Sequence, residues 1–324
     1  MIKVLVTGVG AIIGYGIINS LRQYKEQVFI IGCDIYHDAV GRNWCDCFAQ
    51  APLTSDSSYL SWIKELVHKH QINLIIPGIE QDAHFFNDNI NQMKDSGAKI
   101  ATNNPFLINK SKDKWEMYKE LMLVKPEINI PSVIKGTFNE IVEVLGTPFI
   151  LKPRKSYAGK GIVQIKTQSQ YDQYKHLVGT ELMAQKIVGN EENEFTVGAF
   201  GDGCGNIQAI IIFKRKLSQE GATSKAIVIC DDMIRDATME LARYFKPNGP
   251  TNLQFRKDTS GIKLLEINAR VSSSTSIRTA FGYNESAMCI DYYLYNAEIC
   301  QPVIKKGTAA RYIADQINYE SNNF

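Results

Sequence analysis

Glu266-Ile267-Asn268-Ala269-Arg270 is the run of residues that decides the fold of this chain and most of its expected chemistry. It ends an apolar segment, Ile262 to Asn268, in which alternation predicts a β-strand with Glu266 and Asn268 on one face. A carboxylate and an amide on one face offer the hard oxygen ligands that suit Mg²⁺. Arg270 would add a permanent, planar positive charge for phosphate oxygens.

The preceding apolar segment carries a matching polar side chain. Residues Asn252 to Lys257 predict a second strand, and Asp258-Thr259-Ser260-Gly261 between the two segments is a hairpin signal. If Asp258 pairs with Ile262, Gln254 faces Glu266 with about 5 Å between the Cβ atoms. The same alternation sends Leu265 and Ile267 into the core. Taken alone, such a pair is more often a solvated hairpin face than a metal site.

A glycine-rich loop supplies the second signal. Lys152-Pro153-Arg154-Lys155-Ser156-Tyr157-Ala158-Gly159-Lys160-Gly161 follows the apolar strand Phe149 to Leu151. Glycines with small neighbours let backbone N–H groups approach phosphate oxygens, and Lys152 and Lys160 are among the loop's positive charges. The loop lacks the GxxxxGK[ST] pattern, which excludes the Walker mechanism. An ordinary basic turn remains the alternative for this segment alone.

Together these segments resemble the ATP-grasp superfamily, over roughly residues 105 to 295. The run that begins at Glu266 is similar to the metal-binding stretch of carbamoyl-phosphate synthase large subunits, and the chain also resembles the pyrrolysine-biosynthesis ligase-like branch. Met183 to Gly189 is similar to the hinge whose backbone faces adenine. Glu194-Phe195-Thr196-Val197 is similar to the strand whose glutamate binds the ribose hydroxyls.

The resemblance implies ATP and Mg²⁺ as cofactors and a carboxylate–amine ligase that acts through an acyl phosphate. Lys152 would hold the ATP phosphates, and Arg270 would steady the transferred phosphoryl group. The expected nucleotide contacts are Lys152, Lys160, Gln185, Lys186, Ile187, Glu194 and Lys214, and the expected metal ligands are Gln254, Glu266 and Asn268. Alternation separates Arg215 from Lys214 and Lys216 without showing which faces the nucleotide. Gln185 and Gln254 depart from the glutamate and aspartate of many members.

Residues 1–105 alternate apolar strands with amphipathic helices, which predicts right-handed βαβ units and a Rossmann-like parallel-sheet domain. Residues 106–324 form the expected ATP-grasp domain of two α+β subdomains. Its glycine-loop subdomain covers roughly 125–185, and its metal-binding subdomain covers roughly 186–300. The fold class is therefore α/β for the first domain and α+β for the second.

Two other functions deserve comparison. Gly8, Gly10 and Gly14 follow the first strand and Asp34 ends the second, as in NAD(P)-binding units. With the YxxxK match at Tyr171, this pattern would suit a short-chain dehydrogenase or epimerase. The glycine spacing is not GxGxxG, however, and that function leaves both charged segments unexplained. The third class is an ATP-binding module without catalysis.

The amino-acid composition bears on the partners and the location of the protein. Thirty-six Lys and Arg residues against 34 Asp and Glu residues leave a formal charge of +2, which gives no argument for nucleic-acid or membrane partners. No apolar stretch of about 18 residues is present. Seven scattered cysteines without a zinc-site spacing indicate reduced thiols and a cytoplasmic protein. Small carboxylate and amine substrates and a homodimer are the expected partners.

Overall fold

The structure is a computed structural model that describes residues 1–155 and 161–317. The described residues form a parallel sheet near the N-terminus and two antiparallel sheets after it. The predicted fold class is therefore confirmed. The seven cysteines all lie in the described part of the chain, and each is unpaired. No helix in that part is both long and apolar enough to cross a bilayer.

The N-terminal sheet has the strand order β3-β2-β1-β4-β5, with every neighbouring pair parallel. Its strands are β1 Ile2–Thr7, β2 Val28–Asp34, β3 Cys47–Gln50, β4 Leu74–Ile76 and β5 Lys99–Ile100, and its helices are α1 Ile12–Leu21, α2 Tyr59–His70, α3 Glu80–Asp88 and α4 Ile90–Met93. Periodicity did not reveal β3. Asn89 leaves helical geometry and separates α3 from α4.

The middle part of the chain begins with two helices and builds a four-stranded sheet of order β6-β9-β7-β8. Its elements are α5 Pro105–Ser111, α6 Lys114–Val124, β6 Ser132–Val133, α7 Phe138–Leu145, β7 Phe149–Pro153, β8 Val163–Ile165, α8 Gln168–Tyr174 and β9 Leu182–Lys186. A capping box between Thr137 and Glu140 starts α7. The apolar face of α7 then packs on the sheet through Ile141 and Leu145.

The third sheet has the order β14-β13-β10-β11-β12-β15 and is antiparallel throughout. Its elements are β10 Glu194–Asp202, β11 Ile207–Leu217, β12 Thr223–Ile229, α9 Asp232–Phe245, β13 Asn248–Asp258, β14 Gly261–Asn268, α10 Thr275–Ala280, α11 Glu285–Tyr295 and β15 Thr308–Ala310. Asp231 caps α9 by accepting from the Ile234 N–H. Buried Ile234 and Leu241 pack this helix on the sheet.

The parallel sheet and the six-stranded sheet share one apolar core. That cluster joins Val4 and Ile17 of the first domain to Phe200 and Phe213 of the third sheet and to Tyr283, which lies between α10 and α11. Polar contacts also cross this junction: the Asn103 side chain donates to the Pro250 carbonyl oxygen and the Thr251 Oγ1. The N-terminal sheet is therefore held rigidly against the sheet that carries Glu266. The domain boundary at 105 stays a prediction.

The β13–β14 hairpin contains a β-bulge. Asp258 pairs with Gly261, one residue earlier than expected, and the pairing then shifts between Phe255 and Gln254. Leu265 is the extra residue, and Gln254 pairs with Glu266 as predicted. The prediction that Leu265 enters the core is wrong: Leu264 is buried there, while Leu265 lines a cleft beside Glu266.

Candidate active site

All three sheets contribute to one cleft of about 490 Å³. The N-terminal domain supplies the turns after β1 and β4, the middle sheet supplies β7 and β9, and the third sheet supplies four of its strands. The charged and amide side chains in its lining are Glu80, Gln81, Lys114, Lys152, Gln185, Glu194, Arg215, Glu220, Asn252, Gln254, Arg256, Glu266, Asn268 and Arg270. Residues far apart in sequence thus converge on one volume.

Lys152 lies in the wall formed by β7. Its Nζ donates to the Gln185 Oε1 over 2.7 Å, and the Gln185 Nε2 donates to the Ser132 Oγ over 2.9 Å. Burial lowers the pKa of Lys152 to about 7, with Lys114 acting in the same direction and Glu266 opposing. A buried ammonium group bonded to a neutral amide is well suited to receive an anion, because the anion's charge would restore the usual pKa.

The two residues after Gln185 do not send their side chains into the cleft. Lys186 is exposed, Ile187 is 36% exposed, and neither belongs to the cleft lining. The Lys186 N–H donates to the Pro131 carbonyl oxygen. The expected contact of Lys160 lies outside the described residues.

Glu194 lines the cleft but is bound by two arginines. Its Oε1 accepts from Arg215 over 2.8 and 3.2 Å, and its Oε2 accepts from Arg256 over 2.9 and 3.0 Å. Glu194 is only 2% exposed. A carboxylate has about four lone-pair sites, and these four arginine N–H bonds occupy them. The expected ribose contact at Glu194 would therefore have to replace at least one of the arginine bonds.

Arg215, rather than Lys214, faces the cleft. β10 and β11 pair Glu194 with Arg215, and the Arg215 side chain reaches across to the Gln254 Oε1 over 2.6 Å. Lys214 points to the opposite face of the strand and is not part of the lining. The structure therefore places Arg215 in the cleft in place of the expected Lys214, and a nucleotide contact at either residue stays a prediction. Burial lowers the pKa of Arg215, and Glu194 opposes that shift.

The expected metal ligands lie together at the end of the hairpin. Glu266 Oε1 accepts from the Gln254 Nε2 over 2.6 Å and from the Asn268 Nδ2 over 2.9 Å. Because arginine can only donate, the Arg215 bond holds the Gln254 oxygen away from Glu266. A metal facing this group would meet one carboxylate and the oxygens of two amides after the amides rotate. That donor set fits a single Mg²⁺ ion, which keeps several waters.

Arg270 connects the metal-ligand group to the N-terminal domain. Its Nη2 donates to the Glu80 Oε2 over 2.7 Å and to the Asn268 Oδ1 over 3.3 Å. Its buried Nε has no hydrogen-bond partner among the described residues. Glu80 is the first residue of α3, where the helix dipole favours a carboxylate. This contact spans 190 residues of sequence and positions Arg270 at the cleft wall.

Sequence reasoning missed two cleft cations. Arg256 lies two residues from Gln254 on the same face of β13, so the alternation that selected Gln254 also indicated Arg256. Lys114 begins α6, and burial lowers its pKa while Glu266, Glu80 and Asp113 oppose that shift. No local pattern distinguishes Lys114 from other lysines of the helix.

The N-terminal glycine turn is not prepared for a dinucleotide. The Asp34 carboxylate, which would bind a ribose in such a unit, instead accepts from the Gly10 N–H over 2.8 Å and the Tyr36 N–H over 3.0 Å. Tyr171 is buried in the core of the middle sheet, where its hydroxyl donates to the Gly136 carbonyl oxygen over 2.7 Å. Tyr171 of the YxxxK match therefore has a structural role in the core of the middle sheet.

Comparison with known proteins supports the resemblance. A family model described as "ATP-grasp in the biosynthetic pathway with Ter operon" matches residues 180–316. The carbamoyl phosphate synthase large chain of Methanosarcina mazei is 24% identical over 191 residues, which are 54% of this chain and 18% of that protein. The chain therefore spans less than a fifth of the length of the curated relatives that it matches.

Solved structures share the fold along most of the chain. N5-carboxyaminoimidazole synthetase from Staphylococcus aureus, complexed with ADP, superposes with a TM-score of 0.73 at 19% identity, over 94% of this chain and 80% of that one. The biotin carboxylase domain dimer of Hydrogenobacter thermophilus 2-oxoglutarate carboxylase, with MgADP, ADP and bicarbonate, has a TM-score of 0.70 at 15% identity, over 94% and 73%. The predicted resemblance to the ATP-grasp superfamily and to carbamoyl-phosphate synthase large chains is confirmed.

Proposed function

We propose that this protein is an ATP-dependent carboxylate–amine ligase that acts through an acyl phosphate. The observation that carries the proposal is the convergence of Lys152, Arg215 and Arg270 with Glu266 in one cleft. Cations from separate sheets surround a volume that also holds one hard-oxygen ligand group. Phosphoryl transfer needs little covalent help from a protein, because positioning and charge stabilisation carry it.

ATP would lie between the middle sheet and the third sheet. Its phosphates would meet Lys152 and Arg215, its base would reach the turn at Gln185, Lys186 and Ile187, and its ribose would approach Glu194. In support, Lys152 is buried and its hydrogen-bond partner is the neutral amide of Gln185. A nucleotide phosphate would give the ammonium group an anionic partner. The two solved structures described above that contain ADP share this fold.

Glu266 and Asn268, with Gln254 after rotation of its amide, would hold Mg²⁺. When bound, the ion would supply positive charge that offsets the negative charge of the phosphates. Arg270 would bind the oxygens of the transferred phosphoryl group, since its guanidinium lies beside Asn268 and lines the cleft. The pair with Glu80 would keep this group oriented before substrates arrive.

The proposed reaction has two steps. A substrate carboxylate oxygen attacks the γ-phosphorus of ATP, the bond to the β-phosphate oxygen breaks, and ADP leaves. The amine nitrogen then attacks the acyl-phosphate carbonyl carbon, a C–N bond forms, and the C–O bond to phosphate breaks. The nitrogen's proton leaves with the phosphate or passes to solvent. Lys152 and Arg270 would stabilise the phosphoryl charge throughout.

A coupled ADP-release screen over small carboxylates and amino acids, each paired with amines, tests the proposal. We expect ADP and phosphate only when both substrates are present. Glu266→Ala should lower turnover at least 100-fold with an unchanged fold, because Glu266 is a half-buried polar residue and Ile267 keeps the core contact. Glu65→Ala, which removes an exposed carboxylate of α2, is the matched control.

Other outcomes would contradict the proposal in distinct ways. Wild-type turnover in Glu266→Ala would exclude Glu266 from the reaction. Binding of Mg-ATP without ADP release for any substrate pair would indicate a non-catalytic module, and tight NADH or NADPH binding would indicate a dehydrogenase. A homodimer and a cytoplasmic location stay predictions.

A further inference from the structure

A second cavity of about 860 Å³ lies at the carboxyl ends of the parallel strands. We call it the strand-end cavity. The turns after β1, β2, β3 and β4 all contribute to its lining, which consists of Gly8, Gly10, Ala11, Cys33, Asp34, Ile35, Tyr36, Asp38, Ala39, Val40, Ala51, Pro52, Leu53, Thr54, Ser55, Tyr59, Ile79, Gln81, Asp82, His84, Phe85 and Asp88. None of the expected site residues that the structure describes belongs to it.

The position of the strand-end cavity is one where open parallel sheets bind ligands. The chain runs from β1 outward to β2 and β3, then returns to β4 on the other side of β1, so the strand order reverses between β1 and β4. Ligands of such sheets bind in the crevice outside the strand ends at this reversal. Gly8 after β1 and Ile79 after β4 are in close contact at the floor of the crevice.

The strand-end cavity is unsuited to phosphates. The Gly10 N–H, which would face a pyrophosphate, already donates to Asp34. Asp34, Asp38, Asp82 and Asp88 contribute four carboxyl groups, and the described lining contains no lysine or arginine. The electrostatic potential of the strand-end cavity is therefore negative, opposite in sign to that of the cation-lined cleft.

Neighbouring groups partly offset the negative charge of two of these carboxyl groups. Lys112, from outside the lining, binds Asp88 over 2.7 Å, and the Thr54 and Tyr59 hydroxyls donate to Asp82. Burial raises the pKa of Asp82, and burial lowers the pKa of His84, so the imidazole adds little positive charge at neutral pH. Asp34 and the exposed Asp38 maintain the negative character of the cavity.

Apolar side chains stand exposed around the mouth of the same cavity. Tyr36 is 66% exposed, Leu53 is 58% exposed and Val40 is 43% exposed. Tyr36 and Val40 belong to the connection between β2 and β3, Leu53 follows β3, and each lines the strand-end cavity. Large apolar side chains gathered at a cavity mouth are typical of a ligand-binding surface. The ligand should thus combine a positive charge with an apolar or aromatic body.

The strand-end cavity adjoins the cleft. Ala11, Ile79 and Gln81 line both volumes. A molecule seated in the strand-end cavity therefore lies next to the cleft, with these three residues bordering both volumes.

From this geometry we infer that the strand-end cavity binds the amine substrate, as a primary amine that enters in its cationic form and carries an apolar or aromatic body. The inference rests on the proposed function. The carboxylate and ATP would occupy the cationic cleft. The ammonium group would lose one proton to solvent, and the neutral amine nitrogen would then reach the acyl phosphate from the acidic side. Opposite potentials would keep the two substrates from exchanging sites.

Calorimetric binding without ATP tests the cavity directly. The probes are tyramine, tryptamine and hexylamine, each matched with its carboxylate counterpart: 3-(4-hydroxyphenyl)propionate, indole-3-propionate and heptanoate. We expect at least one amine to bind and its matched acid to bind at least tenfold more weakly. Asp38→Lys should weaken amine binding at least tenfold. Asp95→Lys makes the same charge change at another exposed aspartate of this domain and should have no effect.

The inference is overturned if none of the amines binds, if the acids bind equally well, or if both lysine variants weaken binding alike. Its failure is distinguishable from failure of the proposed function. If amine binding depends on Asp38 but the screen detects no ADP release, the cavity is an amine-binding site and the proposed ligase function is wrong. If the screen detects ADP release and Asp38→Lys leaves the KM for the amine unchanged, the ligase function stands and the assignment of the cavity is wrong.

Discussion

Gln254 faces Glu266 across the β13–β14 hairpin because a bulge at Leu265 restores a register that the turn alone would have lost by one residue. The Gln254 amide also has a defined direction. Its oxygen accepts from Arg215 over 2.6 Å, and its nitrogen donates to the Glu266 Oε1 over 2.6 Å. Arg215 therefore orients the neighbour of the only carboxylate among the three expected metal ligands.

This arrangement predicts the number of metal ions. With the ATP analogue AMPPNP, the wild type should bind one Mn²⁺ per chain in an electron paramagnetic resonance titration. Gln254→Glu should bind two, because it adds a second carboxylate opposite Glu266. Gln254→Met adds no charge and should remain at one. Two Mn²⁺ ions in the wild type would contradict this prediction.

Lys152 should make nucleotide binding depend on pH. Burial lowers its pKa to about 7 in the free protein, and bound phosphate should raise that pKa. The protonated, binding-competent fraction then falls about tenfold for each pH unit above 7, and the Kd for ATP rises by the same factor. Calorimetry from pH 6 to 9 measures this dependence. Lys152→Arg stays charged and should have a flat profile; a flat wild-type profile would refute the prediction.

The same lysine should oppose folding. The unfolded chain holds this proton up to a pKa near 10.5 and the folded chain only up to about 7, so the stability of the wild type relative to Lys152→Met should rise with pH between these values. At pH 7 and below, Lys152→Met should be more stable by on the order of 1 kcal/mol, although inactive. Urea denaturation at several pH values measures the difference. Parallel pH profiles for the two proteins would contradict this account.

Arg215 and its neighbour Lys214 form a matched pair of test positions. Arg215→Met should lower the free energy of unfolding by about 3 kcal/mol, because it leaves Glu194 buried with one arginine partner. Lys214→Met should change it by less than about 0.5 kcal/mol. Arg215→Lys keeps the charge but not the two-sided contact with Glu194 and Gln254, and should weaken ATP binding at least tenfold. If Lys214→Met weakens ATP binding and the Arg215 variants do not, Lys214 contacts the nucleotide, as the sequence analysis expected.

Gly198 leaves room for a buried ion pair beneath the cleft. Arg278 and Glu285 are fully buried, and a Cβ on Gly198 would lie 2.8 Å from the Arg278 Cζ. Gly198→Ala should therefore destabilise the protein by about 1–3 kcal/mol. A double-mutant cycle with Arg278→Lys, which has a slimmer head group, should recover part of that loss. Strict additivity would show that the two residues do not interact.

The sequence by itself determined the order of the sheets and the strand face on which the expected metal ligands lie, and it indicated the type of chemistry. Alternation placed Gln254 and Asn268 on the same side as Glu266, and the glycine-rich loop after β7 marked Lys152. These features are local, because the period of a strand and the flexibility of glycine depend on residues within a few positions. The ATP-grasp resemblance rested on the same local segments.

Only the tertiary structure decided how these segments meet. Alternation gave β11 two faces, and the pairing with β10 selected Arg215 by bringing it beside Glu194. Arg270 meets Glu80 from another domain, and Asp34 closes the glycine turn that had suggested a dinucleotide. Such contacts join residues tens to hundreds of positions apart, so they depend on how sheets pack rather than on any local pattern. The strand-end cavity is likewise visible only where four separate turns converge.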